Sequence, residues 1–416
     1  MQDVLIVGGG IAGLSLGLAL RHSFGPALKI TIIDPAYRKR IRTSRASALT
    51  TGSRRVLDAL GVWRQIEDRA QPILKMKITD SRRNDVVRPD FLHFDLDAPV
   101  GPRLLRRRDG DARDVAHRAH MVYNSDLIDA LEAEVAACQI DVADVPAARI
   151  LVFAQKAVVR LADGNSIEGA LLVGADGAQS AVRAAVGLQT IGRNYGRSAI
   201  VATLGHELPH DGVAVQHFLP SGPFAMLPLT GLRSSIVWTE RTEDARAALS
   251  LDPEDFLSEV ERRFGHALGE FTLLDQPAAY PLHLQLSRRF VAPRTALIGD
   301  AARVMHPLAG QGLNLAFRDL AALVDCLAEP VRLGLDVGAA NWLATYQSAR
   351  LFDSVAMAAA TDGLHRLFSN DVGLLRSLRD LGLGLVDHAP RLKRRLVGEA
   401  AGMEGQVPTL MQGRLP

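Results

Sequence analysis

The feature that most constrains this chain is Val4-Leu-Ile-Val-Gly-Gly-Gly-Ile-Ala-Gly13, a short apolar run that passes straight into glycines at positions 8, 10 and 13. An apolar run of that length reads as a strand buried on both faces, and the Leu14-Ser-Leu-Gly-Leu-Ala-Leu20 segment after it reads as a helix. Gly8 permits the tight turn between them, Gly10 lets backbone approach a pyrophosphate, and Gly13 lets the helix pack closely on the strand. Gly17, one turn further, extends that close packing. A second strand, Lys29-Ile-Thr-Ile-Ile-Asp34, ends in an acid at roughly the 20-residue offset of a ribose partner. The βαβ unit is read as binding a dinucleotide; the plainer alternative is a glycine-rich turn with Asp34 capping the next segment.

Two further elements follow. In Ile298-Gly-Asp-Ala-Ala-Arg-Val-Met-His-Pro-Leu-Ala-Gly-Gln-Gly-Leu-Asn314, Gly299-Asp300 closes an apolar run and Gly310-Gln-Gly312 stands where a helix can begin. That combination suits a loop gripping a polar cofactor tail. Between the two lies Gly174-Ala-Asp-Gly177, at the exit of the buried strand Leu171-Leu-Val-Gly174. Asp176 there caps a helix starting near Ser180, a role compatible with cofactor contact. All three elements in this order point to a flavin enzyme. The basic cluster over positions 38 to 45 reads as a solvated loop except for Arg45, which precedes a helix from Ser53 to Leu60 and can reach cofactor phosphates.

A chain of 416 residues exceeds one ordinary domain, so one large interrupted domain or two intergrown domains is expected. With 48% hydrophobic and 23% charged residues the composition is globular, and a net charge of +2 gives no general attraction to nucleic acid. Cys138 and Cys326 stand alone without a C-x-x-C pair, which argues against a metal site or disulfide scaffold, fits a reducing cytoplasm, and makes both inert core thiols. No apolar run approaches the roughly 18 residues that span a bilayer, and Val4 to Val7 is too short for a signal peptide, so a cytoplasmic, soluble or peripheral protein is expected.

The expected fold is α/β: a Rossmann-like FAD-binding domain interleaved with a β-sheet substrate domain, and a helical C-terminal region. The division is residues 1–70 for the first FAD-binding part, 71–110 for a substrate-domain β part, 111–190 for the return with Asp176-Gly177, 191–285 for the substrate-binding sheet, 286–330 for the Gly299-Asp300 part and 331–416 for the helical end. Residues 72 to 108 read as β-rich, with exposed arginines from Arg103 to Arg113. Ser125 to Ala137 reads as a helix with Asn124 and Ser125 as cap candidates, Val158 to Ile167 as a hairpin turning at Asp163-Gly164, Ser234 to Trp238 as a strand, and Leu313 to Leu327 as a long helix. Thr345 to Met403 reads as helical, with Leu374, Leu378, Leu381 and Leu385 on one face. Arg391, Lys393, Arg394 and Arg395 follow that stripe, either as a solvated helix end or as a contact with anionic lipid worth about 1 kcal/mol per well-placed cation.

At these residues the chain resembles the FAD-dependent group A aromatic monooxygenases, and more narrowly the ubiquinone-biosynthesis hydroxylases of the UbiH, UbiF and UbiL kind. The signature H-P-x-A-G-Q-G-x-N-x-G-x-x-D is matched by His306-Pro-Leu-Ala-Gly-Gln-Gly-Leu-Asn-Leu-Ala-Phe-Arg-Asp319, and the blocks Phe218 to Pro228 and Thr361 to Asn370 are also similar. The resemblance implies that Gly8, Gly10 and Gly13 hold pyrophosphate, Asp34 the adenosine ribose, Arg45 the phosphate region, and Gly299 with Asp300 the ribityl chain and pyrophosphate region. It places Gly310, Gly312, Leu313 and Asn314 beside the isoalloxazine ring, Asn124 near the flavin, Asp176 at the pyrophosphate, and Phe218, Phe224 and Pro307 on the substrate side. Four positions depart: Ala316 for the last signature glycine, Arg303 for a frequent histidine, Asp34 for glutamate, and Tyr123 where close relatives often carry glutamate.

The chemistry implied is delivery of one oxygen atom to an electron-rich ring from a flavin 4a-hydroperoxide, the other leaving as water. O2 is co-substrate, and electrons come from NAD(P)H or through a reductase or ferredoxin. No general base, nucleophile or metal-ligand cluster is assigned, and His306 reads equally as structural. The substrate implied is a polyprenylated phenol or quinol precursor of ubiquinone, with contacts to other proteins of that pathway, to the inner face of the membrane, or to further copies of the chain. Two rivals stand beside this reading: a hydroxylase of a soluble phenol, and a non-catalytic FAD-binding scaffold.

Overall fold

Val4, Leu5, Ile6, Ile32 and Leu172 have no exposed surface because the parallel strands that carry them are covered on both faces. Their sheet runs in the order Val291–Ala292, Thr295–Leu297, Ser166–Gly174, Gln2–Val7, Ile30–Ile33, Asp141–Ala143, and its last five strands are parallel. The antiparallel strands Ala147–Val152 and Ala157–Leu161 extend it from Ser166–Gly174, with the hairpin turn at Asp163-Gly164 as expected. The computed structural model describes residues 1–80, 90–95, 119–305, 311–368 and 406–416.

The helices are α1 (Ile11–Phe24), α2 (Thr51–Ala59), α3 (Asn124–Ala137), α4 (Ala181–Ala185), α5 (Thr242–Leu249), α6 (Pro253–Phe264), α7 (Gln311–Arg332) and α8 (Ala340–Phe368). Helix α1 packs against both α3 and α7, so its leucines at 14, 16, 18 and 20 are fully buried rather than confined to one stripe. Burial of each contributes about 1.5–3 kcal/mol. A Cβ at Gly17 would lie 2.9 Å from Ile32 Cδ1, which is why that turn of α1 can sit so close to the sheet.

A second sheet has nine strands among the described residues, ordered Arg303–Val304, Ala278–Ser287, Thr190–His206, Arg233–Arg241, Gly222–Leu229, Val213–Leu219, Lys75–Asp80, Asp90–Asp95, with Phe271–Leu273 also on Thr190–His206. Helices α5 and α6 cover one face, packing Ala245, Phe256, Val260 and Phe264 on Phe224, Ile236 and Trp238. On the other face Ala214 and Leu229 meet Ile73 and Met121 of a three-stranded sheet built from Ala46–Leu49, Ala119–Tyr123 and Gln71–Ile73.

One local expectation needs correction. Asn124 and Ser125 do not cap α3: the cap residue is Tyr123, without a side-chain bond, and Asn124 is the first helical residue with its carboxamide turned to Ser47. Phe218 and Phe224 do not share a face. Phe218 pairs with Pro223 and His217 with Phe224, adjacent rows whose side chains alternate across the sheet. Phe224 is fully buried in the core beneath α6. Residues 374 to 395, with the leucine stripe and Arg391, Lys393, Arg394 and Arg395, lie outside the described residues, as do Arg103 to Arg113. Among the described residues no helix is long and apolar enough to cross a membrane.

Candidate functional site

The three glycine elements leave three neighbouring parallel strands at the same edge: Gly8 follows Gln2–Val7, Asp176 follows Ser166–Gly174, and Gly299 follows Thr295–Leu297. Ligands of parallel α/β sheets bind at that carboxyl edge. The loops touch. Ala175 N donates to Val7 O at 2.8 Å and Ile298 N to Gly174 O at 3.0 Å. Gly8 has φ +101° and its Cβ would lie 2.4 Å from Ala175 O, so only glycine permits this approach. At Gly13 a Cβ would meet Gly8 O at 1.8 Å, the close helix–strand packing read from the sequence. Gly10, by contrast, caps α1 with nothing within 4 Å of its Cβ position, leaving open space before a helix amino terminus.

Asp34 sits under this turn, 8% exposed. Its Oδ2 accepts from Gly9 N at 2.5 Å and from Arg40 Nη2 at 2.7 Å, and its Oδ1 accepts from Ala36 N at 2.7 Å. A carboxylate offers about four acceptor sites, so one remains, enough for one hydroxyl. Arg40 also donates to Gly9 O at 2.8 Å and to Glu132 Oε1 at 2.5 Å, clamping the glycine turn to α3. Arg40 is therefore not part of a solvated loop; only its neighbours fit that expectation, Lys39 pairing with Asp144 and Arg42 with Asp129 near the surface. Nothing local in the sequence singles Arg40 out, because one partner lies 92 residues away. Arg45 stacks its guanidinium 4.7 Å over the Tyr280 ring and exerts a field on Asp300.

At the third loop, Gly299 has φ +58° and its Cβ position lies 3.5 Å from Ala12 Cβ of α1 and 3.3 Å from Ala316 Cβ of α7. The extra methyl at Ala316 therefore fits only because Gly299 has none. Asn314 anchors the start of α7: its Oδ1 accepts from Thr50 N at 2.9 Å and Ser53 Oγ at 2.7 Å, and its Nδ2 donates to Ala48 O at 2.8 Å. Gly312 is exposed with open space at its Cβ position, and Leu313 is half-buried. His306, Pro307 and Gly310 lie outside the described residues. Asp319, fully buried, accepts from Gly299 N at 2.9 Å, Arg303 Nη1 at 2.7 Å and Arg350 Nε at 2.9 Å. Arg303 is thus a buried cation paired with Asp319.

Two polar groups at the edge await a partner. Asp176 Oδ2 accepts from Val182 N at 3.0 Å, capping α4 as expected, while its buried Oδ1 has no hydrogen-bond partner. Asp300 is exposed at its surface while the surrounding protein desolvates its carboxyl and pushes it up, against the pull of Arg303, Arg45 and His283. Among the described residues it has no hydrogen bond. Arg183 ties the second and third loops together, donating to Ala178 O at 2.7 Å and Ala301 O at 2.8 Å, and burial lowers its pKa. Gln285 Nε2 also holds Ala178 O, at 2.8 Å. The open space at Gly10, before a helix amino terminus, fits a phosphate, and the unpartnered Asp176 oxygen and the Asp300 carboxylate fit hydroxyl donors of a long polar group along this edge. An open groove of about 500 Å3 lined by His206, Arg233 and Leu274 lies elsewhere and shares no residue with it.

The fold and site define a flavoprotein: residues 1–361 match the FAD binding domain family, and the chain belongs to it. It is an FAD-dependent enzyme of the monooxygenase class. Among its relatives, ubiquinone hydroxylase UbiL of Rhodospirillum rubrum is 39% identical over 431 residues, covering 99% of this chain and 93% of that protein. The mitochondrial ubiquinone biosynthesis monooxygenase COQ6 of Homo sapiens is 30% identical, covering 96% of this chain and 92% of its own. Among solved structures, p-nitrophenol 4-monooxygenase PnpA of Pseudomonas putida superimposes with a TM-score of 0.77 at 16% identity, covering 98% of this chain and 99% of that one. PqsL of Pseudomonas aeruginosa, a probable FAD-dependent monooxygenase, gives 0.73 at 21%, covering 92% and 99%. These two structures share the fold.

Proposed function

We propose that this protein hydroxylates the aromatic ring of a polyprenylated phenol or quinol intermediate in ubiquinone biosynthesis, consuming O2 and two electrons per oxygen atom inserted. The observation that carries this reading is the 39% identity to a ubiquinone hydroxylase along essentially the whole chain. Insertion of one atom of O2 and release of the other as water requires two electrons, supplied by NAD(P)H or by a reductase. Bound FAD supplies the oxygen-activating ring.

In this reading Gly8, Gly10 and Gly13 receive the pyrophosphate at the start of α1, and Asp34 takes a ribose hydroxyl on its one remaining acceptor site. Arg40 holds Asp34 in place through their ion pair at 2.7 Å. Asp176 Oδ1 and Asp300 accept hydrogen bonds along the linking chain, with Arg45 offsetting phosphate charge. Gly312, Leu313 and Asn314 form the rim of the ring site, where α7 starts and its backbone N–H groups favour developing negative charge. Asn124, held through its Oδ1 by Ser47 Oγ at 2.7 Å, keeps its carboxamide nitrogen free to donate to the flavin. The nine-stranded sheet forms the substrate side. Ordering the substrate ring and excluding water are the protein's contributions to rate.

Quinone profiling by mass spectrometry tests this, in cells lacking the protein and complemented with wild type or Asp300→Ala. Accumulation of a prenylated intermediate one oxygen short, rescued by wild type alone, is expected. Unchanged ubiquinone with no such intermediate refutes the pathway and favours a soluble phenol as substrate. Bound flavin without substrate-linked O2 consumption identifies a scaffold. A prenylated substrate also calls for contact with a membrane face, and failure to co-sediment with vesicles carrying that substrate refutes such contact.

A further inference from the structure

We propose that His22, Glu134 and Cys138 bind one divalent metal ion of the zinc type, at the end of α1 and α3 remote from the glycine loops. Glu134 and Cys138 are four residues apart at the end of α3, hence on one face, and His22 approaches from the last turn of α1. His22 Nε2 lies 3.7 Å from Cys138 Sγ, Cys138 Sγ lies 3.7 Å from Glu134 Oε1, and His22 Nε2 lies 4.0 Å from Glu134 Oε1.

A tetrahedral zinc ion, with bonds of about 2.3 Å to sulfur and about 2.0–2.1 Å to nitrogen and oxygen, holds its ligand atoms roughly 3.4–3.6 Å apart. The three donors need to close by only a few tenths of an ångström on the nitrogen–sulfur and oxygen–sulfur sides, and by somewhat more between nitrogen and oxygen. The side chains of His22 and Glu134 are 28% and 21% exposed, so the cluster is partly desolvated yet open on one side, where water can take the fourth position. Glu134 Oε2 accepts from Gln65 Nε2 at 3.0 Å, an outer contact that fixes the carboxylate while Oε1 faces the trio.

Sulfur and imidazole donors select zinc or a neighbouring transition metal over magnesium and calcium, which take oxygen ligands. His22 lies eleven residues beyond the start of α1, about 17 Å along the helix, so the ion is too far from the glycine loops for chemistry there. Its effect is mechanical: it ties together the far ends of the two helices whose first turns carry the Gly10 cap and Asn124.

The test uses the full-length, FAD-loaded protein, stripped with chelator, dialysed against zinc, and measured for metal by mass spectrometry and for affinity by calorimetry. Wild type and Cys326→Ser should take up a single equivalent, with Cys138→Ser and His22→Gln at least tenfold weaker and flavin content equal throughout. Cobalt-loaded wild type should show a thiolate-to-cobalt charge-transfer band in difference against the cobalt-free holoprotein, absent in Cys138→Ser. Failure of wild type to bind zinc or to show that band overturns the proposal, as does equal uptake by wild type and both variants.

Discussion

Gly10 and Gly13 belong to one sequence fingerprint but are glycine for opposite reasons, and alanine at each should separate them. At Gly13 the new Cβ would lie 1.8 Å from Gly8 O. Even a close carbon–oxygen contact keeps about 3.3 Å, so α1 would have to retreat by roughly 1.5 Å from a sheet on which its leucines are fully buried. Overpacking typically costs about 1–3 kcal/mol, and an obstacle that is backbone rather than a flexible side chain puts Gly13→Ala at or above the upper end. At Gly10 the backbone is at φ −68° and ψ −175°, open to alanine, and the Cβ would meet nothing within 4 Å. The apoprotein should therefore lose only the cap preference of glycine over alanine, about 0.5–1 kcal/mol. In the proposed site the added methyl stands where the pyrophosphate would come, so FAD affinity should fall at least tenfold, about 1.4 kcal/mol. Urea unfolding of the flavin-free proteins reads the first quantity and quenching of flavin fluorescence on titration reads the second. The reasoning is refuted if Gly10→Ala destabilises the apoprotein as much as Gly13→Ala does, or binds FAD as tightly as wild type.

Asp319→Ala strands the buried Arg303 guanidinium, leaves Arg350 with Asp353 as its acidic partner and releases Gly299 N, so it should cost about 3–5 kcal/mol in urea unfolding; a loss below about 1 kcal/mol would contradict the hub. Burial, with Asp325 adding to it, pushes the Cys326 thiol up to about 11, so at pH 8 its alkylation, followed by peptide mass mapping, should be slower than that of a free cysteine by on the order of 10²-fold. Hydrogen bonds from Arg294 hold the Asp336 carboxyl below the ordinary range, so its contribution is present above the unfolded value and lost as pH falls through the folded one. Asp336→Asn should thus lower stability at pH 7, by no more than about 1 kcal/mol since Asp336 is 45% exposed, and the gap to wild type should close below the usual aspartate range; a gap that widens on acidification would reverse the assignment.

What the sequence by itself determined about this protein is what depends on near neighbours along the chain. The strand before Gly8, the tight turn, the packing of Gly13, the Asp163-Gly164 hairpin and the capping by Asp176 each involve partners within a few residues, where geometry follows residue type directly. Spacing also sufficed to link three such elements to a flavin, because each closes a strand of one parallel sheet.

Only the tertiary structure decided which long side chains serve them. Arg40 reaches Glu132, Arg183 reaches Ala301, Asn314 fastens Thr50 and Ser53, and His22 comes to Cys138, across separations of 92 to 264 residues. The face of Phe224 was settled the same way, by sheet register. A basic or apolar residue carries no mark of which distant partner it will meet; that is fixed by how helices and strands pack, and so by the core as a whole.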